Sequence, residues 1–274
     1  KFPAAEGQTS PADPSPDYFS WVLRLQIISL GFAFYTAIFL LSHLVSTALS
    51  QTYHSLLAKE KVFWNLAVTR AVFGLQGTVA GLRALTEDSD LSRDRIRGQE
   101  DWSWFTVLIA TGFFLFENVV LHLSSVVFRS FDLALATHHF FARRGHYLPM
   151  VTLLLEMSTP FTCISWMLLK AGWARTLFWK ANQWVMVHMF HCRMVLTYYM
   201  WWVSWSHWGE MNMYMALPQR VLFYTGLALL TGLINPIWTH KKTMQLLNPV
   251  DWNFSNKPLP NGPSGEREEK PHES

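Results

Sequence analysis

Charge is scarce in this chain: Asp, Glu, Lys and Arg make up 15% of its 274 residues, against roughly a quarter in a soluble domain. That excludes an ordinary water-solvated globule. Cysteine is almost missing too. Cys163 and Cys192 both fall in apolar stretches, so no disulfide framework is offered and both read as buried small hydrophobes. No long basic run exists and the net charge is only +3, which excludes nucleic acid as a partner. Neither an internal repeat nor a low-complexity tract is present. No charged, apolar and small-residue cleavage pattern precedes the first long apolar run, so no removable signal peptide is expected and the first span serves as its own signal.

What the chain has is apolar length. Half of its residues are hydrophobic, and 14 Trp and 8 Tyr stand beside 20 Phe; Trp and Tyr concentrate where a bilayer meets water. A helix needs roughly 20 mostly apolar residues to cross a hydrocarbon core of about 30 Å. Residues 21–42, 62–85, 104–123, 150–169 and 217–238 meet this, and 182–205 is a sixth, more polar candidate. Residues 124–142 are harder to place. The apolar run 131–142 covers only about 18 Å as a helix, and Arg143 and Arg144 follow at once. The expectation is an all-α, multi-pass transmembrane helical bundle with six or seven membrane helices. A polar tail (1–20) precedes the membrane domain (21–240), and a polar, disordered tail (241–274) follows it. Pro160 and Pro236 fall inside spans and should kink them. His240, Lys241 and Lys242 after the last span favour a cytosolic C-terminal side. The Asn253-Phe254-Ser255 sequon is accordingly expected to carry no glycan.

Chemistry should reside where ionisable groups interrupt the apolar runs, because a charge at the bilayer centre costs several kcal/mol unless it is neutralised or paired. Glu117 and Glu156 do so, and Arg70 and Arg193 are the cations available to them. Either a structural ion pair between helices or a functional site would result. His188 and His191 are three apart and share a helical face; they either line a ligand cavity or bond neighbouring helices. His138 and His139 form an adjacent pair, with Asp132 seven residues before His139 on the same face. His138, His139, His188 and His191 together are too few for the histidine-rich membrane di-iron sites, so no metal is expected. An acid/base or nucleophilic role for the pair stands beside a purely structural one.

Three stretches carry a resemblance: Phe-Asp-Leu-Ala-Leu-Ala-Thr-His-His (131–139), Leu-Leu-Glu-Met-Ser-Thr-Pro-Phe (154–161) and His-Met-Phe-His-Cys-Arg-Met-Val-Leu-Thr-Tyr-Tyr-Met-Trp-Trp (188–202). Together they resemble the TLC-domain family, which includes ceramide synthases. In catalytic members the residues matching His138 and His139 are required to transfer an acyl group from acyl-CoA. The resemblance therefore implies acyl-CoA as co-substrate, no bound cofactor, and a phospholipid precursor or sphingoid base as acceptor. One neutral imidazole would take the acceptor proton while the other polarises the thioester. The branch it most resembles implies residence in the endoplasmic reticulum membrane with cycling through the ER–Golgi intermediate compartment. Membrane lipids, newly made lysosomal enzymes and the ER export machinery are the partners it implies. A non-catalytic cargo receptor for those enzymes is the alternative. Two departures stand out: the family continues with about a dozen more apolar residues after its histidines, and Pro271 and His272 occupy the positions a dilysine retrieval signal needs.

Overall fold

The computed structural model describes residues 16–128, 145–251 and 254–258. Asp132, His138, His139 and Asn253 lie outside the described residues, as does most of the segment 124–142. What is described is an all-α membrane bundle. Its helices are α1 (Trp21–Leu49), α2 (Gln51–Ser55), α3 (Ala58–Thr86), α4 (Asp90–Arg93), α5 (Asp101–Phe128), α6 (Tyr147–Leu154), α7 (Thr159–Lys170), α8 (Leu177–Ser206), α9 (Trp208–Tyr214), α10 (Leu217–Leu229) and α11 (Asn235–Leu247). A 3₁₀ turn, Leu155–Ser158, joins α6 to α7, and a π turn, Leu230–Ile234, joins α10 to α11.

Each junction has a local cause. Pro160 and Pro236 sit in the first turn of α7 and α11, where the missing N–H is tolerated while the residues before them lose a regular helical partner. The expected kinks are therefore changes of helix type. Thr176 caps α8 by accepting from the Trp179 amide at 3.2 Å, and Glu60 reaches back to the Leu57 amide at 3.0 Å to start α3.

Counting α6–α7 and α10–α11 as single rods, six helices are long enough to cross a bilayer. Four of them, Trp21–Leu49, Asp101–Ser124, Tyr147–Lys170 and Leu217–Leu247, are also apolar enough by composition. The other two, α3 and α8, have 29 and 30 residues, or more than 40 Å at about 1.5 Å per residue; their lower apolarity reflects polar residues, several of which face the bundle. The polar stretch after 240 is not all tail. Helix α11 continues to Leu247, and β1 (Val250–Asp251) pairs antiparallel with β2 (Ser255–Pro258).

The bundle has two distinguishable ends. At the Gly98 end, the Gly98 carbonyl accepts from the His146 amide at 3.1 Å, and Arg97 Nη1 donates to the Tyr214 hydroxyl at 3.3 Å. At the Lys170 end, Lys170 bridges Glu60 and Asp251 at 2.6 and 2.7 Å. Helices α1, α5, α6–α7 and α10–α11 run from the first end to the second; α3 and α8 run back. Close approach between rods uses small residues, as membrane helices do for want of a hydrophobic drive between them. Gly31 of α1 faces Gly112 of α5, where an added Cβ would stand 2.5 Å from the Ile28 carbonyl oxygen.

Candidate functional site

Charge converges inside the bundle between α3, α5, α7 and α8. Arg70 of α3 donates from Nε to Glu117 Oε1 of α5 at 2.5 Å, with Glu117 6% exposed. Arg70 also sits in the electrostatic field of Glu156 and Cys163. Glu156 lies on the 3₁₀ turn, where its Oε2 accepts from Thr159 Oγ1 at 2.6 Å. Arg193 of α8 donates from Nη1 to Ser158 Oγ at 2.9 Å, and its guanidinium lies over Phe190 at 5.1 Å. The turn is held against α3 by Gly74, where a Cβ would meet the Glu156 carbonyl oxygen at 2.9 Å.

The expected pairing is thus half right. Glu117 and Arg70 form the inter-helix ion pair, whereas Glu156 takes the nearby Thr159 and Arg193 takes Ser158, with no direct Glu156–Arg193 bond. Glu156 still lies in the electrostatic field of Arg193. Breaking a buried pair by removing one partner leaves the other charge uncompensated, at a cost of about 3–5 kcal/mol.

His188 and His191 depart from both readings offered for them. Each ring bonds the carbonyl four residues back in its own helix, Trp184 and Val187 respectively, both at 2.7 Å. Both residues are exposed on α8. Among the described residues they neither line an interior cavity nor tie α8 to a neighbour. Cys192 beside them is exposed as well, contrary to the expectation of burial, while Cys163 is buried; both are free thiols. Among the described residues no three His, Cys, Asp or Glu side chains converge as metal ligands would.

A second polar seam runs between α8 and α11. Helix α11 lies antiparallel to α8, with Phe190 stacked on Trp238 at 6.4 Å and Trp201 Nε1 donating to Thr231 Oγ1 at 3.0 Å. On this buried face stand Asn235, both of whose amide atoms have no protein partner among the described residues, and Thr239, whose hydroxyl has none either. They lie four apart, one turn above the other. The signal was available in the Asn-Pro-x-x-Thr spacing, but it lies inside an otherwise apolar span and carries no charge to draw attention.

Outside the membrane rods, His146 caps the start of α6. It is fully buried, bonds Ser103 Oγ through Nδ1 at 2.8 Å and meets Trp104 edge-to-face at 4.4 Å. Burial, and secondarily the Arg24 charge, pushes its pKa down to about 4.

No family model matches this chain, and no solved structure matches it. Curated relatives do, over most of the length. Human protein CLN8 is 57% identical, covering 96% of each chain. The dog protein CLN8 is 58% identical over 94% of this chain and 93% of its own, and the mouse protein CLN8 60% over 87% of both. Identity at that level over that length leaves no room for a different arrangement of helices, and the chain belongs to the CLN8 family.

Proposed function

We propose that this protein handles lipids in the endoplasmic reticulum membrane and transfers an acyl group from acyl-CoA to a phospholipid precursor or a sphingoid base, with His138 and His139 as the reacting imidazoles. One neutral imidazole takes the proton from the acceptor hydroxyl or amine. The freed oxygen or nitrogen attacks the thioester carbonyl, the C–S bond breaks, and the coenzyme A sulfur leaves with the proton. The observation that supports a reaction centre here is the charged interior: Arg70–Glu117, with Glu156 and Arg193 beside it, persists in membrane helices where each lone charge costs about 2.5–3.5 kcal/mol on insertion scales. The resemblance of the 131–139 and 154–161 stretches to TLC-type acyltransferases names the chemistry. Purified protein supplied with labelled acyl-CoA and a panel of glycerophosphodiester, lysophospholipid and sphingoid acceptors is expected to form an acylated product, and His138→Ala with His139→Ala to abolish it. Turnover unchanged in that double variant removes the histidines from the mechanism.

The reading as a receptor for newly made lysosomal enzymes, coupled to ER export, is favoured by one feature of its own. The segment between α3 and α5 is folded, with Asp88–Arg93 and Asp94–Arg97 pairs at 2.8 Å, and presents a fixed extramembrane surface. A double histidine variant that folds and still delivers lysosomal hydrolases would place that role on this surface rather than on the histidines.

A further inference from the structure

Between α3 and α5, near the Gly98 end, lies a groove of about 530 Å³, within the range of about 300–1,000 Å³ typical of small-molecule sites. Its body is apolar: Leu75 and Val79 of α3 and Phe105 of α5 line it, and they are 60%, 67% and 43% exposed. In a membrane bundle such a surface meets hydrocarbon chains. Leu75, Val79 and Arg83 follow one another at intervals of four, so one face of α3 passes from apolar to cationic on approaching the end of the bundle.

The mouth of the groove is built differently from its body. Arg83 spends Nε on Glu87 at 2.7 Å and lays its guanidinium over Trp102 at 4.4 Å, which leaves its two Nη amines for an acceptor. Across the groove, the Asp101 carboxylate is exposed and has no hydrogen-bond or ion-pair partner among the described residues. Trp102 donates from Nε1 to Glu100. Tyr18 completes the rim, so Tyr and Trp mark the level of the lipid headgroups.

We propose that this groove binds one glycerophospholipid whose headgroup carries a primary ammonium. The acyl chain lies along Leu75, Val79 and Phe105, the phosphate accepts from the Arg83 Nη groups, and the ammonium donates to Asp101. Glu87 pairs with the Arg83 guanidinium, Glu100 accepts from the Trp102 indole beneath it and Asp101 lines the groove, so carboxylates outnumber the one cation here and a headgroup of net negative charge is disfavoured. A choline headgroup offers no N–H to Asp101. The proposal does not depend on acyl transfer.

The test is lipid retention in protein reconstituted into nanodiscs with equal amounts of phosphatidylethanolamine, phosphatidylcholine and phosphatidylglycerol, followed by stepwise delipidation and native mass spectrometry. Phosphatidylethanolamine is expected to be retained several-fold over the other two. Asp101→Asn should bring its ratio to phosphatidylcholine close to one, and Val79→Trp, which fills the groove from a lipid-facing position, should abolish retention while helicity and monodispersity match the parent. Photoreactive phosphatidylethanolamine should crosslink within residues 75–83 and 101–106. Equal retention of the three lipids by the parent, unchanged selectivity in folded Asp101→Asn, or crosslinks confined elsewhere would overturn the proposal; should Asp101→Asn not fold, the Val79→Trp result and the crosslink positions decide it alone.

Discussion

The two ends of the bundle are held shut in opposite ways. At the Gly98 end, the connecting segment is pinned by many small contacts: the exposed Asp88–Arg93 pair, the Asp94 carboxylate, the Gly98 carbonyl on His146, and Arg95 over both Tyr147 and Trp202. Slight burial acts against Asp94, but the amide and guanidinium of Arg97 and the amide of Ile96 hold its carboxyl below the usual range. At the Lys170 end, one ammonium does most of the holding. It sits 19% exposed between Glu60 and Asp251, under Trp166 and Phe254 at 5.7 and 5.2 Å, while Trp166 Nε1 donates to Asp251 at 3.1 Å. Distributed contacts in water tolerate loss, since exposed pairs contribute little each. A shared, half-dry charge does not, because removing it takes from two partly buried carboxylates the cation they share.

The sharpest way to break the comparison is topological. The two ends should lie on opposite faces of the membrane. Single cysteines placed at Asp88 and Arg175, in a background with Cys163→Ala and Cys192→Ala, are expected to react all-or-none with an impermeant maleimide from opposite sides. Labelling of both from one side would mean that the rods do not cross as a bundle. Next in size is Lys170→Met, expected to cost roughly 3 kcal/mol and to free the hairpin at 250–258, read as a lower melting temperature and faster proteolysis near Pro258. Glu60→Gln, which leaves Asp251 in place, should cost less.

His146 sharpens the contrast through pH. Its folded pKa, about 4, lies below the ordinary 6.5, so as pH falls the unfolded chain takes up the proton first. Stability is complete above about pH 6.5 and is lost between there and about pH 4, amounting to about 2 kcal/mol by pH 5. Unfolding measured in detergent at pH 7.5 and pH 5 should show this loss in the parent and a smaller one in His146→Phe. The smallest expected effect is that of Asp88→Asn or Arg93→Ala: no change in melting temperature, since both side chains are mostly in water, 80% and 64% exposed. A clear drop there would erase the distinction between the ends.

Much of this architecture can be read from residue order alone, for identifiable reasons. The spans are legible because the bilayer demands length and apolarity together; each of the six long runs lies within an observed rod, while 131–142 falls outside the described residues. The Arg70–Glu117 pair was legible because an unpaired carboxylate at that depth is too costly. Arg193 illustrates the limit: cost arguments require a partner but do not choose between a carboxylate and the serine hydroxyl nearer to it. Spacing put His188 and His191 on one face and said nothing of whether that face looks inward. The Lys170 clamp was illegible for a different reason, since its partners come from positions 110 residues earlier and 81 later and none of the three interrupts a long apolar run. The candidate pair His138 and His139 stays a reading of sequence, outside the described residues.

The π turn at Leu230–Ile234 acts as an added residue in the last rod. One residue turns a helix by about 100°, so α10, which buries Gly226 and Leu227, and α11, which buries Asn235, Thr239 and Gln245, need not present the same side to α8. The rod thereby joins an apolar half to a polar half. In evolutionary terms the turn behaves as a tolerated one-residue insertion, and excising Gly232 would be a frameshift of the surface: the reading of α11 against α8 would slip, bringing a hydrophobic neighbour inward and sending the carboxamide of Asn235 toward the lipid.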